Sequence, residues 1–424
     1  MKPSDLRRHA LGISLVAALL AGCGTAAPAL VPGATVPAQA GGDWTIRSSF
    51  TSVYSFEDQP DGKEPRGGLA PSGDVLYGTT DLGGHGVGTV YTITPAGDES
   101  VIHRFGETEG AHPRGSLTAL DGKLYGTASE AGPNSCGTIY DVSLPSGELK
   151  MLYGFNCIDG GRPNAGLTAA GETLYGTTIL GGTGKHCGRF GCGTVFAFDP
   201  SSGKKHIVYS FDGGVDGSQP VASVIALHGT LYGTTEKGGR GCNEGCGTVF
   251  AVDPSSGKER IVYRFMGGKD GALPTAGLIA FENKLYGTTA VGGLYPRKCV
   301  AGCGTIFDVS PRAAARERVI YRFKGPEEGD GDGALPSSAL IEVKGLLYGT
   351  TAGGGRRPYS SGHGTVFDVS PSGTEHVLHA FDGADGSRPQ APLVEMQGFL
   401  YGTTASGGDH CTPGGCGTVF KIAP

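Results

Sequence analysis

Short apolar runs of five to seven residues alternate along this chain with polar breaks rich in glycine. Residues 221–265 display the pattern once. Val221-Ala222-Ser223-Val224-Ile225-Ala226-Leu227 is an apolar run, and His228-Gly229 turns the chain into Leu231-Tyr232-Gly233-Thr234-Thr235. A loop beginning Gly238-Gly239 leads to Gly247-Thr248-Val249-Phe250-Ala251-Val252. Asp253-Pro254-Ser255-Ser256-Gly257 then turns the chain again, into Arg260-Ile261-Val262-Tyr263-Arg264-Phe265. Each run is β-branched and aromatic and is bounded by Gly, Pro, Asp or Ser, which predicts four strands joined by tight turns. The runs are nearly continuous in apolar residues instead of alternating, as expected of strands covered on both faces.

The unit recurs. Leu-Tyr-Gly-Thr occurs seven times, with its tyrosine at Tyr77, Tyr125, Tyr175, Tyr232, Tyr286, Tyr348 and Tyr401, at intervals of 48 to 62 residues. Four antiparallel strands in about 50 residues is the measure of a propeller blade, as in kelch repeats. The third run begins at Gly88, Gly137, Gly193, Gly247, Gly304, Gly364 and Gly417, and the fourth ends at Phe56, Phe105, Phe155, Phe211, Phe265, Phe323 and Phe381. The last repeat therefore lacks a fourth strand, while Ser48 to Phe56 is a fourth strand with nothing before it. Pairing the two closes a ring and removes two open sheet edges. The expectation is an all-β, seven-bladed propeller over residues 44–424, closed by an N-terminal outer strand.

The Leu-Tyr-Gly-Thr-Thr, Gly-Gly and Gly-Thr-Val-Phe elements resemble the bacterial GloVer tandem repeats of choice-of-anchor proteins, over nearly all of residues 50–424. That resemblance implies an exported protein tethered by one of several sorting signals. It brings no activity, catalytic residue or cofactor with it.

The N-terminus fits such an anchor. Lys2, Arg7 and Arg8 precede an apolar stretch from Ala10 to Ala21, too short to span a bilayer, for which about 20 apolar residues are needed. It ends in Leu20-Ala21-Gly22-Cys23, which resembles the lipobox of bacterial lipoproteins. Residues 1–22 then read as a leader and Cys23 as the lipidated terminus, with membrane attachment through that lipid. Gly24, in place of an acid, favours the outer membrane or cell surface. Residues 23–43, rich in Ala, Pro and Gly, read as a tether. An ordinary secretory leader containing a cysteine is the rival reading.

Composition changes this picture little. Glycine is the commonest residue, 78 of 424, so turns dominate and long helices are not expected; only Ala313-Ala314-Ala315-Arg316 looks locally helical. The formal charge of −6 becomes −8 without the leader, which carries three basic residues and one acid. This mild acidity argues against nucleic acid as partner and offers no basic face for anionic lipid.

Candidate chemistry lies in two loop classes that open on one face of a propeller. The loop from outer to inner strand carries an acid in every repeat: Asp61, Glu109, Asp159, Asp216, Asp270, Asp332 and Asp385. A ring of cation sites is one reading. Turn geometry is the stronger one, because Asp caps a turn, Gly takes positive φ and Pro starts the strand. The residue after the proline diverges instead: Arg66, Arg114, Asn164, Val221, Thr275, Ser337 and Gln390. Divergence at one structural position is what a recognition surface at the channel mouth would look like; plain solvation of channel-mouth residues is the rival reading. Arg66 and Arg114, in adjacent blades, have the chemistry to hold a carboxylate, sulfate or phosphate between them.

Ten cysteines remain after Cys23. Cys187/Cys192, Cys242/Cys246, Cys299/Cys303 and Cys411/Cys416 are local pairs, and Cys136 and Cys157 flank a hairpin. The even count in an exported chain predicts five disulfides; zinc, which shares these spacings, is the alternative. His85, His186, His363 and His410 share one loop class, and His112 lies on the same face, leaving a histidine metal site open. No metal or cofactor is expected from these patterns. No sialidase box, nucleophile elbow or H-E-x-x-H motif is present. The reading is a non-catalytic binding module for a glycan, peptide or protein. The alternatives are a carbohydrate-active lyase or hydrolase using Arg66, Arg114 and His112 or His85, and a purely structural envelope protein.

Overall fold

The computed structural model of the protein describes residues 49–293, 299–312, 316–326, 332–355, 362–411 and 414–424. The chain divides into two units, Met1–Thr45 and Ile46–Pro424. The leader, Cys23 and the tether belong to the first and lie outside the described residues, as do Ala313–Ala315.

The second unit is a propeller of seven four-stranded antiparallel sheets. Blade 1 runs from inside to outside through Ala70–Ser72, Val75–Thr80, Thr89–Ile93 and Glu99–Arg104. Blades 2 to 6 follow in sequence. Blade 7 takes Val394–Met396, Phe399–Thr404 and Thr418–Ile422 from the C-terminus and its outer strand, Phe50–Ser55, from the N-terminus. Phe50 pairs with Ile422 and Ser55 with Thr418, so the chain ends close the ring as the repeat count requires.

The inner strands are shorter than the apolar runs imply. In blade 4 only Ile225–Leu227 joins the ladder, and Val221–Val224 runs outside it. Near the axis these segments crowd one another: a Cβ on Gly115 would lie 2.5 Å from the Ala165 backbone, and one on Gly68 2.7 Å from Ser116 Oγ. Their carbonyls are bonded around the ring instead of along a strand. Thr127, Thr177 and Thr234 donate to the carbonyls of Ala165, Ala222 and Ala276 in the following blades, at 2.8 to 3.0 Å. Small residues two and three positions after the proline, such as Gly67-Gly68 and Gly115-Ser116, are the steric consequence.

Leu-Tyr-Gly-Thr-Thr makes the joint between blades. The leucines are fully buried. The glycine leaves room for the aromatic ring of the neighbouring third strand: a Cβ would meet the Phe250 ring at 2.6 Å from Gly233, and the Phe307 ring at 2.7 Å from Gly287. Each ring is met edge-on by the phenylalanine ending the previous blade's outer strand, as in Phe56–Tyr91, Phe211–Phe250 and Phe381–Phe420, at 5.0 to 5.2 Å. Such contacts add about 0.5–1.5 kcal/mol beyond burial. In six blades the last threonine bonds the threonine opening the third strand at 2.8 Å, as in Thr80–Thr89 and Thr404–Thr418. Ala128 removes that pair in blade 2.

The outer end of the joint carries buried acid. The outer strand begins with glutamate in four blades: Glu99, Glu259, Glu317 and Glu375. One carboxyl oxygen of each is buried without a hydrogen-bond partner. Burial first, and then the charges of Asp61, Asp216, Asp270 and Asp332 respectively, push these glutamates up to about 7, 7, 8 and 8. An unfolded glutamate titrates at 4.5, so their contribution is complete below that pH and is lost as pH rises through 7 to 8. The melting temperature is expected to fall between pH 6 and pH 9. Replacing all four by glutamine should flatten that slope in scanning calorimetry; an unchanged slope would refute the assignment.

Candidate binding face

Two loops serve each blade on one face: the connection entering from the previous blade, and the connection between its second and third strands. Main-chain bridges lock them together, Lys63 to Leu82, Ala111 to Glu130, Gly161 to Leu180 and Ser218 to Lys237 in blades 1 to 4. In blade 6 the same contact is a short ladder of Gly333–Ala334 with Gly353–Gly354. The face is therefore a set of braced loop pairs around the channel mouth.

The seven acids stabilise the entering loops. Each lies beside an aromatic side chain of the preceding outer strand: Tyr54 donates to Asp61 at 2.6 Å, Tyr209 to Asp216 at 3.0 Å and Tyr263 to Asp270 at 3.0 Å. Tyr153 and Tyr321 bond Asp159 and Asp332, while His103 and His379 fill the role for Glu109 and Asp385. Main-chain N–H groups complete the turn, among them those of Gly106, Asp212 and Met266. The carboxylates are thus engaged within their own loops. Among the described residues no three His, Cys, Asp or Glu side chains gather as a metal site would require. His85 is exposed, His186 pairs with Asp212 and His410 with Glu57, and these sites do not converge.

Cys136–Cys157, Cys187–Cys192, Cys242–Cys246, Cys299–Cys303 and Cys411–Cys416 are disulfides with Cα separations of 5.1 to 5.5 Å. All five brace this face.

The residue before each proline has a feature the sequence reading missed. Glu64, His112, Arg162, Gln219, Leu273, Leu335 and Arg388 all have φ between 54° and 59°. This left-handed conformation costs a side chain about 1–2 kcal/mol and is normally left to glycine. Main-chain bonds on both sides enforce it. His112 donates its N–H to the Val87 carbonyl in blade 1 at 3.0 Å and accepts from the Ser129 N–H in blade 2 at 3.1 Å. None of the seven is Gly, Asn or Asp, and this was the available signal: a residue before proline that is never small.

The residues after the prolines are all half-buried. Arg66 and Arg114 do share a carboxylate, and it belongs to the protein. Asp81, which follows the second strand of blade 1, pairs with Arg66 Nε at 3.1 Å, Arg114 Nε at 2.9 Å and His112 Nδ1 at 3.0 Å. Arg66 also pairs with Glu64 at 2.6 Å and bonds Gln390 of blade 7 at 3.3 Å. Burial works to raise the Asp81 carboxyl, but the His112 and Arg114 hydrogen bonds and the two guanidinium charges outweigh it and hold it below the usual range. The same hydrogen bond raises His112, against burial. Among the described residues Asn164 finds no side-chain hydrogen bond, and the buried Thr275 and Ser337 hydroxyls have no partner. Glu236 is the blade 4 counterpart of Asp81. Burial raises its carboxyl, although the adjacent Lys237 opposes the shift.

Asp81→Asn removes the charge and keeps the shape. The His112 titration followed by NMR should then move back down toward 6.5, and stability at pH 7 should fall by about 3 kcal/mol in urea denaturation, as when one partner of a buried ion pair is removed. An unmoved His112 midpoint would refute this geometry.

The sequence matches the family described as Gloeobacter/Verrucomicrobia repeat over residues 43–188, 180–300 and 244–424. No curated protein matches. Among solved structures, an oligogalacturonate lyase in complex with manganese is 11% identical and aligns over 89% of this chain and 96% of its own, with a TM-score of 0.55. A nidogen/laminin complex is 15% identical over 72% of this chain and 92% of its own, at 0.42. A prolyl endopeptidase is 14% identical over 79% and 45%, at 0.43. At these identities the likeness is one of fold alone.

Proposed function

This chain belongs to the Gloeobacter/Verrucomicrobia repeat family, and from that premise we propose that it is an exported, lipid-anchored binding propeller that takes a glycan, peptide or protein on its loop face. One observation carries the reading. Seven positions of fixed left-handed backbone hold seven large side chains of five kinds. Apart from Glu64 and His112, which pair with Arg66 and Asp81, a pure scaffold gains little by keeping them, because glycine occupies that conformation without strain. Strain retained in one ring around a channel mouth is the mark of a surface selected for what it touches.

The lyase or hydrolase alternative has less support. Arg66 and Arg114 are already paired with Asp81, and the same carboxylate raises His112, which favours its protonated form over a free base. The disulfides are those of an extracytoplasmic protein, and the Leu20-Ala21-Gly22-Cys23 motif supplies the anchor. The test is a thermal-shift screen of polysaccharides, oligosaccharides and peptides, with products analysed for every hit. Arg162→Gly, Gln219→Gly and Arg388→Gly together should leave stability within about 1–2 kcal/mol and cut ligand affinity at least tenfold; full affinity in that variant, or consumption of the ligand, would overturn the reading. Cys23→Ala should move the protein from the membrane to the soluble fraction. Persistence in the membrane would rule out the lipid anchor.

A further inference from the structure

The loop face is not chemically uniform. Ile158, Phe190, Val215, Met266 and Val300 are each more than half exposed. Ile158 and Phe190 belong to the loop pair of blade 3, Val215 to that of blade 4, and Met266 and Val300 to that of blade 5. Among the described residues the other exposed large apolar side chains are Leu335, entering blade 6, and Ile207 on the outer strand of blade 3. The apolar tips thus form one arc over three adjacent blades. Exposed apolar side chains gathered on adjacent loops, unlike singly scattered ones, invite an interaction site.

The tips are held. Phe190 lies inside the Cys187–Cys192 loop, Val300 inside Cys299–Cys303, and Ile158 next to Cys157. Gly213 packs against both sulfurs of Cys187–Cys192 two residues before Val215, and Gly267, after Met266, faces those of Cys242–Cys246. Little conformational freedom remains to be lost on binding.

Exposed cations stand among the tips. Lys185, Arg189, Arg240 and Lys269 are exposed and make no ion pair among the described residues, although Lys185 lies near enough to Asp212 to lower its carboxyl; the Arg189 guanidinium lies 4.6 Å over the Phe190 ring. The nearby acids are already engaged: Asp212 with His186 at 2.8 Å, Glu244 with Lys237 at 2.6 Å, and Asp216 and Asp270 with their tyrosines. Between the loops of blades 3 and 4 runs a groove of about 590 Å³, within the range of about 300–1,000 Å³ usual for ligand sites. Gly213, Gly214, Gly238 and Gly239 line it beside Val215 and Arg240.

Resting on the loop face as the binding surface, we propose that blades 3 to 5 dock an extended segment of a partner protein bearing both carboxylates and apolar side chains, seated in the groove between blades 3 and 4. Unpaired cations beside rigid apolar tips select that combination by charge and by burial. A flat bilayer matches the tips but leaves the groove unfilled, so a membrane is the rival outcome.

The test uses the full chain and a fluorescein-labelled ten-residue peptide of alternating Glu and Leu. A Gln/Leu peptide and vesicles of equal phosphatidylglycerol and phosphatidylcholine serve as comparisons. Saturable binding is expected, at least tenfold weaker for the Gln/Leu peptide, for Arg189→Glu with Arg240→Glu, and for Phe190→Ser with Val215→Ser. Glu107→Gln, on blade 2, should leave it unchanged. Equal binding by the charge-reversed variant overturns the proposal, as does vesicle binding without peptide binding. If affinity survives these changes but falls with Asn164→Ala and Gln390→Ala, this docking site fails and the loop-face reading stands. Loss in none of the variants sinks both.

Discussion

The ring depends on one contact made seven times: an aromatic ring lying over a bare glycine and met edge-on by the phenylalanine of the blade before. The glycine of Leu-Tyr-Gly-Thr matters for what it lacks. Any Cβ at Gly233 or Gly287 would enter the ring opposite, and displacing that ring would push away the phenylalanine through which the previous blade is attached. Packing within a sheet and packing between sheets are therefore a single event. No blade buries its own third-strand aromatic fully without a predecessor, so a repeat has little claim to stability by itself.

This contact explains why so much of the fold was legible. Residues that serve packing must be the same in every blade, and a motif repeated seven times is read without ambiguity. The inner strands were overestimated because Val221–Val224 is as apolar as a strand. Its hydrogen bonds are diverted to neighbouring blades by crowding at the axis, and composition carries no trace of that. The disulfide pairs were visible because both cysteines of most pairs sit within one loop.

The candidate site was legible only in part. The divergent residues after the prolines were identifiable by position, yet the carboxylate that Arg66 and Arg114 hold came from Asp81, a residue after the second strand that differs in every other blade except Glu236 of blade 4, which is also acidic. The ring of left-handed residues escaped notice because positive φ is ordinarily announced by Gly or Asn. Here it is imposed by hydrogen bonds from two blades, and the sequence is free to place Arg, Glu, His, Gln or Leu there. Backbone geometry and side-chain identity are uncoupled at these positions, so the side chain can change without disturbing the ring.

Closure by Phe50–Ser55 has a consequence in time. The strand that completes blade 7 precedes every other strand of the propeller, and its partner Thr418–Ile422 follows them all. For the whole interval of synthesis and export the nascent chain carries an unsatisfied strand edge at one end and a growing open sheet at the other. Both are templates for pairing with the wrong chain. The same stitch that makes the finished molecule a closed circle leaves the unfinished one exposed, so its folding yield should depend more on what shields that first strand than on the strength of any blade.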